Sequence, residues 1–154
     1  MTDVRHQKRA QLMQALYAAD FQNQSWVDQD FDFSEETLKK TAEIVKSQEE
    51  YDQLIVKYAP ERSIKEMSRI DLAILRLIIH ENKHKDTPPK VLINEAVELA
   101  KEFGSESAFG FVNAVLEKIL LRGKKENGEK KTEKNDQSNQ LPETDEKQKE
   151  VKND

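Results

Sequence analysis

Apolar residues recur every three or four positions through most of residues 4–121, which is the spacing of helices with one buried face. The predicted helices cover residues 4–22, 35–58 (one helix, or two with a break near Ser47), 67–79, 90–103, and a last segment that starts at Ser105 or Ser107. Residues 22–33 form the connection after the first helix. The pattern therefore predicts an all-α body.

Short polar signals mark the ends of these helices. Ser34 precedes two glutamates, which is typical of a helix N-cap with an acidic first turn. Ser63 is a second candidate cap, and Pro60 ends the helix before it. Gly104 stands directly after the last apolar residue of segment 90–103, where a C-terminal cap belongs.

Residues 67–79 differ from the other segments because they are apolar on nearly every side of the helix. Such a helix is buried on every side, so we expect it to be the central one. Arg76 lies within it, and a buried cation needs an acidic partner such as Glu95 or Glu98. Buried amides also need partners, and two are expected to fasten helices or loops: Asn94 and Asn113.

The chain changes character after Gly123. Residues 124–154 contain no aromatic residue and two aliphatic ones, Leu141 and Val151. A segment of this composition buries too little apolar area to offset the entropy lost on ordering it. We therefore predict a folded body of residues 1–122 and a disordered polar tail of residues 123–154.

Composition excludes several classes of protein. The sequence has no cysteine, so disulfides and thiolate metal sites are excluded. It has no apolar run of about 18 residues and no apolar signal-peptide core near Met1, so we expect a soluble cytoplasmic protein without membrane contact. The formal net charge is -5, which argues against binding of duplex nucleic acid over the whole surface. A local basic patch is still compatible with that total.

The first predicted helix begins with such a patch. Arg5, Lys8 and Arg9 are spaced i, i+3 and i+4, so they share one stripe of the helix, which we call the basic ridge. Cations at a helix N-terminus are slightly unfavourable because of the helix dipole, so a role other than helix stability would explain their presence. An exposed ridge would hold about three phosphates of single-stranded RNA, with a salt slope of about -2. The alternative is a solvated helix start without a ligand.

Residues 80–84, His-Glu-Asn-Lys-His, match the H-E-x-x-H motif of zinc proteases. A catalytic zinc needs a third protein ligand, and nothing singles out the nearest candidates, Glu102 and Glu106. The neighbouring cations Lys83 and Lys85 oppose a bound dication. No glycine-rich phosphate loop, cysteine nucleophile or nucleophile elbow occurs either. We therefore predict no metal, no cofactor and no enzymatic activity, with two solvated histidines at a helix end.

Several blocks of the sequence resemble the NusB family of bacterial transcription antitermination factors. They are RHQKR at residues 5–9, QALY at 14–17, IDLAILRL at 70–77, PKVLINEAVELAKEFG at 89–104 and FVNAVLEK at 111–118. The last two blocks are specific to the family, and the resemblance runs from residue 4 to residue 121. It implies about seven helices in two small bundles, here lobes of about 1–60 and 61–122.

The resemblance also implies a function. Members of the family pair with the small-subunit ribosomal protein NusE and bind the single-stranded boxA element of nascent ribosomal RNA. That complex loads on RNA polymerase and suppresses premature termination. By position, the residues implied to contact RNA are Arg5, His6, Lys8, Arg9, Tyr17, Phe103, Ser107 and Phe111. Asp71 falls at a position implied to face the ribosomal protein.

Two residue patterns depart from the family, and two other functions are open. The motif at the start of the first helix is RHQKR, at residues 5–9, rather than a run of arginines, so its charge is lower, and Ala114 replaces the usual glycine. A helical adaptor that binds only proteins is the main alternative, and the basic ridge separates it from the RNA-binding hypothesis. An RNA-binding domain of the kind fused to ribosomal RNA methyltransferases is disfavoured, because no G-x-G-type cofactor loop follows.

Overall fold

Six α-helices make up most of the chain that the computed structural model describes, which is residues 3–21 and 32–122. Their bounds are α1 Val4–Phe21, α2 Glu35–Lys46, α3 Gln48–Tyr58, α4 Arg69–His84, α5 Pro89–Phe103 and α6 Ala108–Leu116. A short 3-10 turn, Ile64–Glu66, precedes α4, and a π-helical segment, Glu117–Arg122, follows α6. No strand occurs in these described residues, and the prediction of an all-α fold is confirmed.

The polar residues at the helix ends act largely as predicted. The side chain of Ser34 accepts a hydrogen bond from the backbone N–H of Thr37 at 3.1 Å, so it caps α2. Ser47 separates α2 from α3, which confirms the break predicted there. Ser63 caps the 3-10 turn instead of α4, whose own cap is Ser68.

Helix α4 is the centre of the fold, as its apolar sequence predicts. An unbroken run of its residues, from Asp71 to Ile79, is buried. The helix packs against all five other α-helices of the described chain. Each of them therefore covers part of its apolar surface, at a gain of roughly 25 cal/mol for each Å² removed from water. This shared surface positions α1, which carries the basic ridge.

A buried ion-pair network at Arg76 joins α1 and α3 to α4. The side chain of Arg76 is 4% exposed, and its guanidinium donates two hydrogen bonds of 2.8 Å to the carboxylate of Asp52. It also lies 3.5 Å from the carboxylate of Asp20, near the end of α1. The predicted partners, Glu95 or Glu98, are therefore wrong, because the face of α4 that carries Arg76 meets α1 and α3 rather than α5.

The two asparagines that were expected to be buried and to join helices or loops by hydrogen bonds are more exposed than predicted. Asn94 is exposed, and Asn113 is half-buried. The buried stripe of α5 includes Ile93, Ala96 and Ala100, and Asn94 lies about 100° round the helix from Ile93. The prediction of a buried Asn94 is therefore wrong, since helical geometry turns its amide to the solvent.

The described residues up to Leu120 form one compact unit, and the division to a second unit falls at Leu121. Within the described part of the first unit, α1 packs on both α2 and α4. The division into lobes at residue 60 stays a prediction. The connection predicted at residues 22–33 lies mostly outside the described residues, and the polar tail predicted at 123–154 lies wholly outside them. No described helix is long and apolar enough to cross a lipid bilayer.

Gly104 ends α5 and lets α6 approach it closely. Its backbone N–H donates to the carbonyl oxygen of Ala100 at 2.8 Å, which confirms the predicted C-terminal cap. A Cβ added at Gly104 would lie 2.7 Å from the Cβ of Ala108 and 2.8 Å from the oxygen of Ala100. A Cβ added at Gly110, in α6, meets no atom within 4 Å. A methyl group therefore fits at Gly110 but not at Gly104.

We expect Gly104→Ala to lower the free energy of unfolding by about 1–3 kcal/mol, because the added methyl group forces α5 and α6 apart. Gly110→Ala is the matched control. It should leave stability unchanged or raise it by up to about 1 kcal/mol, since alanine favours a helix over glycine. Urea denaturation of both variants measures the two changes. Equal stability of the two variants would contradict the close approach of α5 and α6.

Candidate nucleic-acid interface

The basic residues at the start of α1 face in different directions. Arg5 and Lys8 are exposed, and the side chain of Lys8 retains 64% of its accessible surface. The ion pair of Lys8 with Glu36 is long, at 4.0 Å, and the guanidinium of Arg5 makes no ion pair within residues 3–21 and 32–122. Both cations therefore face the solvent and are accessible to an anionic ligand.

Arg9 is buried, in contrast to the prediction that it continues the exposed ridge. Its side chain is 10% exposed, and its guanidinium donates hydrogen bonds of 2.9 and 2.7 Å to the carboxylate of Glu81 on α4. A further contact of 3.3 Å joins it to Glu95 on α5. The exposed part of the basic ridge is therefore Arg5 and Lys8, because two carboxylates hold Arg9 inside the fold. The assignment of Arg9 as an RNA contact stays a prediction.

The charges of this buried pair stabilise each other. Hydrogen bonds to Glu81 raise the pKa of Arg9 above its ordinary value, against the opposing effect of burial. Burial acts to raise the pKa of Glu81, but the hydrogen bonds and charge of Arg9 outweigh it, and the pKa lies below its ordinary value. The hydroxyl of Thr87 donates a further hydrogen bond of 3.1 Å to the same carboxylate. Both groups therefore stay ionised in the interior at neutral pH.

His6 lies on the other flank of α1 and contacts α5. Its Nδ1 lies 3.0 Å from a carboxylate oxygen of Glu95, and its Nε2 lies 3.0 Å from one of Glu102. The hydrogen bond to Glu102 is the largest cause of a raised pKa of His6; burial opposes the shift, and Glu95 adds to it. Because both ring nitrogens face carboxylates, the doubly protonated imidazolium is favoured. The acids of α5 thus neutralise His6, whose assignment as an RNA contact stays a prediction.

The acidic partners of these bases, Glu81, Glu95 and Glu102, were not predicted from the sequence. Glu95 and Glu102 are spaced i, i+7, which places them on one face of α5. That spacing is visible in the sequence. No local pattern shows, however, that the start of α1 crosses this face, so the pairing emerges only in the folded chain.

The predicted RNA contacts beyond the first turns lie further along α1 and near the end of α5. Tyr17 and Phe103 are half-buried, and Ser107 is exposed. The contact of His6 with Glu102 brings the first turns of α1 next to the last turn of α5, which carries Phe103. The structure therefore brings the backbone of this turn of α5 near His6, and the Phe103 ring is partly open to solvent.

Phe111 and Asp71 both lie near Arg62. The guanidinium of Arg62 lies 4.4 Å from the centroid of the half-buried Phe111 ring, as a cation–π contact. Asp71 is 4% exposed, and its Oδ1 has no hydrogen-bond partner among the described residues. Burial raises the pKa of Asp71, and the charge of Arg62 opposes that rise. A buried oxygen without a donor costs free energy, so this carboxyl is a locally unfavourable group in the described chain. The assignment of Asp71 as a partner contact stays a prediction.

The side chains of the H-E-x-x-H motif make structural contacts. Nδ1 of His80 lies 2.7 Å from the hydroxyl of Tyr51, and Glu81 is held by Arg9. Burial is the largest cause of a lowered pKa of His80, followed by the charge of His84. The described residues contain no group of three histidine, cysteine or acidic side chains placed to hold a metal ion. His84 is exposed as predicted, but His80 is half-buried, which corrects the prediction of two solvated histidines.

These features define a small all-helical protein with two exposed cations, Arg5 and Lys8, at the start of its first helix. The chain matches the model of the NusB family over residues 6–121. It therefore belongs to the NusB family, whose members include transcription antitermination proteins.

Individual relatives agree with this assignment. The chain is 35% identical to the transcription antitermination protein NusB of Acetivibrio thermocellus over 127 residues, which cover 75% of this chain and 88% of the relative. It is 37% identical to the protein of that name from Pectobacterium carotovorum over 135 residues, or 79% and 96% of the two chains. A solved structure of T. maritima NusB is similar at a TM-score of 0.65 and 27% identity, and covers 78% of this chain and 92% of its own.

We expect Arg9→Gln to lower the free energy of unfolding by about 3–5 kcal/mol, because it leaves the buried charge of Glu81 without its main partner. The double variant Arg9→Gln/Glu81→Gln removes both charges and should recover most of that loss. Arg5→Gln, on the exposed ridge, is the control and should change stability by no more than about 0.5 kcal/mol. Chemical denaturation at neutral pH measures all three. A loss in Arg9→Gln no larger than that in Arg5→Gln would show that Arg9 is not a buried fastening.

The raised pKa of His6 makes part of the stability depend on pH. The ordinary pKa is 6.5, so the charged contacts with Glu95 and Glu102 contribute fully below that pH and are lost as pH rises through the higher folded-state value. We therefore expect His6→Gln to destabilise the protein more at about pH 6 than at about pH 9. Glu102→Gln, which removes the largest cause of the raised pKa, should show the same trend. A loss of equal size at both pH values would contradict these ion pairs.

Proposed function

We propose that this chain is a transcription antitermination factor that binds the boxA element of nascent ribosomal RNA together with the ribosomal protein NusE. The complex joins RNA polymerase in the bacterial cytoplasm and supports processive transcription. Membership of the NusB family supports the proposal, as do relatives that carry the name transcription antitermination protein. The observation that carries the RNA part is the exposure of two cations, Arg5 and Lys8, at the start of α1.

Arg5 and Lys8 are suited to phosphate contacts. They are exposed, and the first turn of α1 contains no acidic residue. Two cations that neutralise two phosphates of a single strand give a salt slope of about -1.4, which corresponds to weak binding. Sequence preference then needs stacking on aromatic rings, for which the half-buried Tyr17 and Phe103 are candidates. We therefore expect tight and specific RNA binding only in the complex with NusE.

Asp71 is the candidate contact for that protein partner. Its buried Oδ1 lacks a donor in the described chain, and Arg62, whose charge lowers the pKa of Asp71, stacks on Phe111. The oxygen is buried in the free chain, so a contact with NusE requires the surface around Asp71 to rearrange on binding. A basic side chain of NusE would then form a charge-assisted hydrogen bond with the carboxylate, which is stronger than a neutral one.

The RNA part is tested by fluorescence anisotropy with boxA RNA and a scrambled RNA, with and without NusE. We expect Arg5→Gln/Lys8→Gln to weaken boxA binding by the complex several-fold and to reduce the salt slope by about 1.4, since two phosphate contacts are lost. Lys39→Gln/Lys90→Gln is the matched control. It removes the same charge from two exposed lysines on α2 and α5, outside the basic ridge. The control should keep the wild-type slope.

Two outcomes would contradict the proposal. Unchanged boxA affinity of the Arg5→Gln/Lys8→Gln complex would overturn the RNA assignment, and the chain would then be a helical adaptor that binds only proteins. Equal binding of boxA and scrambled RNA by the wild-type complex would refute recognition of a specific sequence.

A further inference from the structure

A cleft opens beside the exposed ridge, on the flank of α1 away from His6. It has a volume of about 220 Å³ and lies between α1, the start of α2 and the end of α4. A smaller cleft of about 160 Å³ adjoins it. The two share Leu12, Lys40, Glu81 and Lys85, so we treat them as one feature, the α1–α2–α4 cleft.

The wall of this cleft carries more positive than negative charge. Its bases and acids are Arg5, Lys8, Arg9, Lys40, Lys85, Glu36, Glu43 and Glu81. Arg9 and Glu81 cancel each other in their buried pair. Glu36 lies 4.0 Å from Lys8 and 3.5 Å from Lys40, so one acid is shared by two lysines. Outside the buried pair, the cleft is lined by the cations Arg5, Lys8, Lys40 and Lys85 and by the acids Glu36 and Glu43. The cations therefore outnumber the acids even when His80 and His84 are neutral.

Two of these cations, Lys40 and Lys85, lie outside α1. Lys40 lies in α2, and Lys85 follows the last residue of α4. No spacing in the sequence joins them to Arg5 and Lys8, which line the same cleft. The fold thus provides two more cations next to the exposed ridge, after Arg9 and His6 have been neutralised by acids of α4 and α5.

We propose that the α1–α2–α4 cleft binds one nucleotide of the RNA strand, with its phosphate between Lys40 and Lys85. This inference rests on the proposed function and extends the RNA path across α1, to the flank opposite His6. The half-buried side chain of Leu12 provides an apolar wall for the sugar or the base.

The strand, rather than a free anion, is the ligand that the position favours. Arg5 and Lys8 belong both to the exposed ridge and to the wall of the cleft, so phosphates that follow one another along a strand can engage both places. Four cations instead of two raise the expected salt slope of binding from about -1.4 to about -2.8. The cleft therefore compensates for the low charge of the first turn of α1.

The test is boxA binding by the full chain with NusE, measured by anisotropy over a series of salt concentrations. We expect Lys40→Gln/Lys85→Gln to weaken binding several-fold and to reduce the salt slope by about 1.4. Lys39→Gln/Lys90→Gln removes the same charge from lysines that do not line the cleft, and Lys39 is the direct neighbour of Lys40. This control should keep the wild-type slope.

The outcomes separate this inference from the proposed function. If Arg5→Gln/Lys8→Gln weakens boxA binding while Lys40→Gln/Lys85→Gln behaves like its control, the cleft does not bind RNA and the proposed function stands. If Arg5→Gln/Lys8→Gln has no effect on boxA binding, the RNA part of the proposed function is wrong, and the inference, which rests on it, is wrong too. A titration with inorganic phosphate alone, followed by NMR of the α2 amides, provides a further arm. Tight phosphate binding combined with unchanged RNA binding of Lys40→Gln/Lys85→Gln would assign the cleft to a small anion and overturn the inference.

Discussion

The side chain of Arg9, near the start of α1, is buried and forms a bidentate ion pair with Glu81 of α4. Burying two charges costs several kcal/mol for each ion, and this cost is offset only where further hydrogen bonds complete the pair. Thr87 and Glu95 supply these contacts, so helices α1, α4 and α5 meet at one polar point. Together with the apolar face of α1 that packs on α4, this pair holds α1 in one orientation.

Once that rotation is set, the rest of the candidate interface follows from helical geometry. His6 lies about 100° from Arg5 round α1, so it faces the acids of α5 while Arg5 stays in solvent. Lys8 falls on the opposite flank, towards α2 and the end of α4. A protein with a net charge of -5 thereby exposes two cations at the start of α1, while the neighbouring acids Glu81, Glu95 and Glu102 pair with Arg9 and His6.

The apolar period of the sequence was sufficient to predict the helices, the break at Ser47 and the central position of α4, because these depend on local spacing. It was not sufficient for the polar contacts. Arg76 pairs with Asp52 and Asp20 rather than with α5, and Arg9 is buried rather than exposed. Long charged side chains reach across helix faces, so their partners depend on how helices pack, which a single sequence does not reveal.

The same limit applies to the candidate site. The resemblance of the blocks at 89–104 and 111–118 identifies the family, and the i, i+3, i+4 spacing draws attention to the basic ridge. Lys40 and Lys85 carry no signal of their own, since each is one lysine among many in a chain with 25 basic residues. Only the approach of α2 and of the end of α4 to α1 brings them beside Arg5.

The central proposal is that Arg5 and Lys8 contact RNA phosphates while the buried Arg9 stabilises the fold. The prediction that Arg9 contacts RNA is the alternative that the same measurement tests. The most direct measurement is the salt dependence of boxA binding by the complex of NusE with Arg9→Gln/Glu81→Gln, the variant in which the buried pair is replaced by amides. The account predicts a salt slope equal to that of the wild-type complex, because no phosphate contact is removed. A slope smaller by about 0.7, as expected for the loss of one phosphate contact, would contradict it.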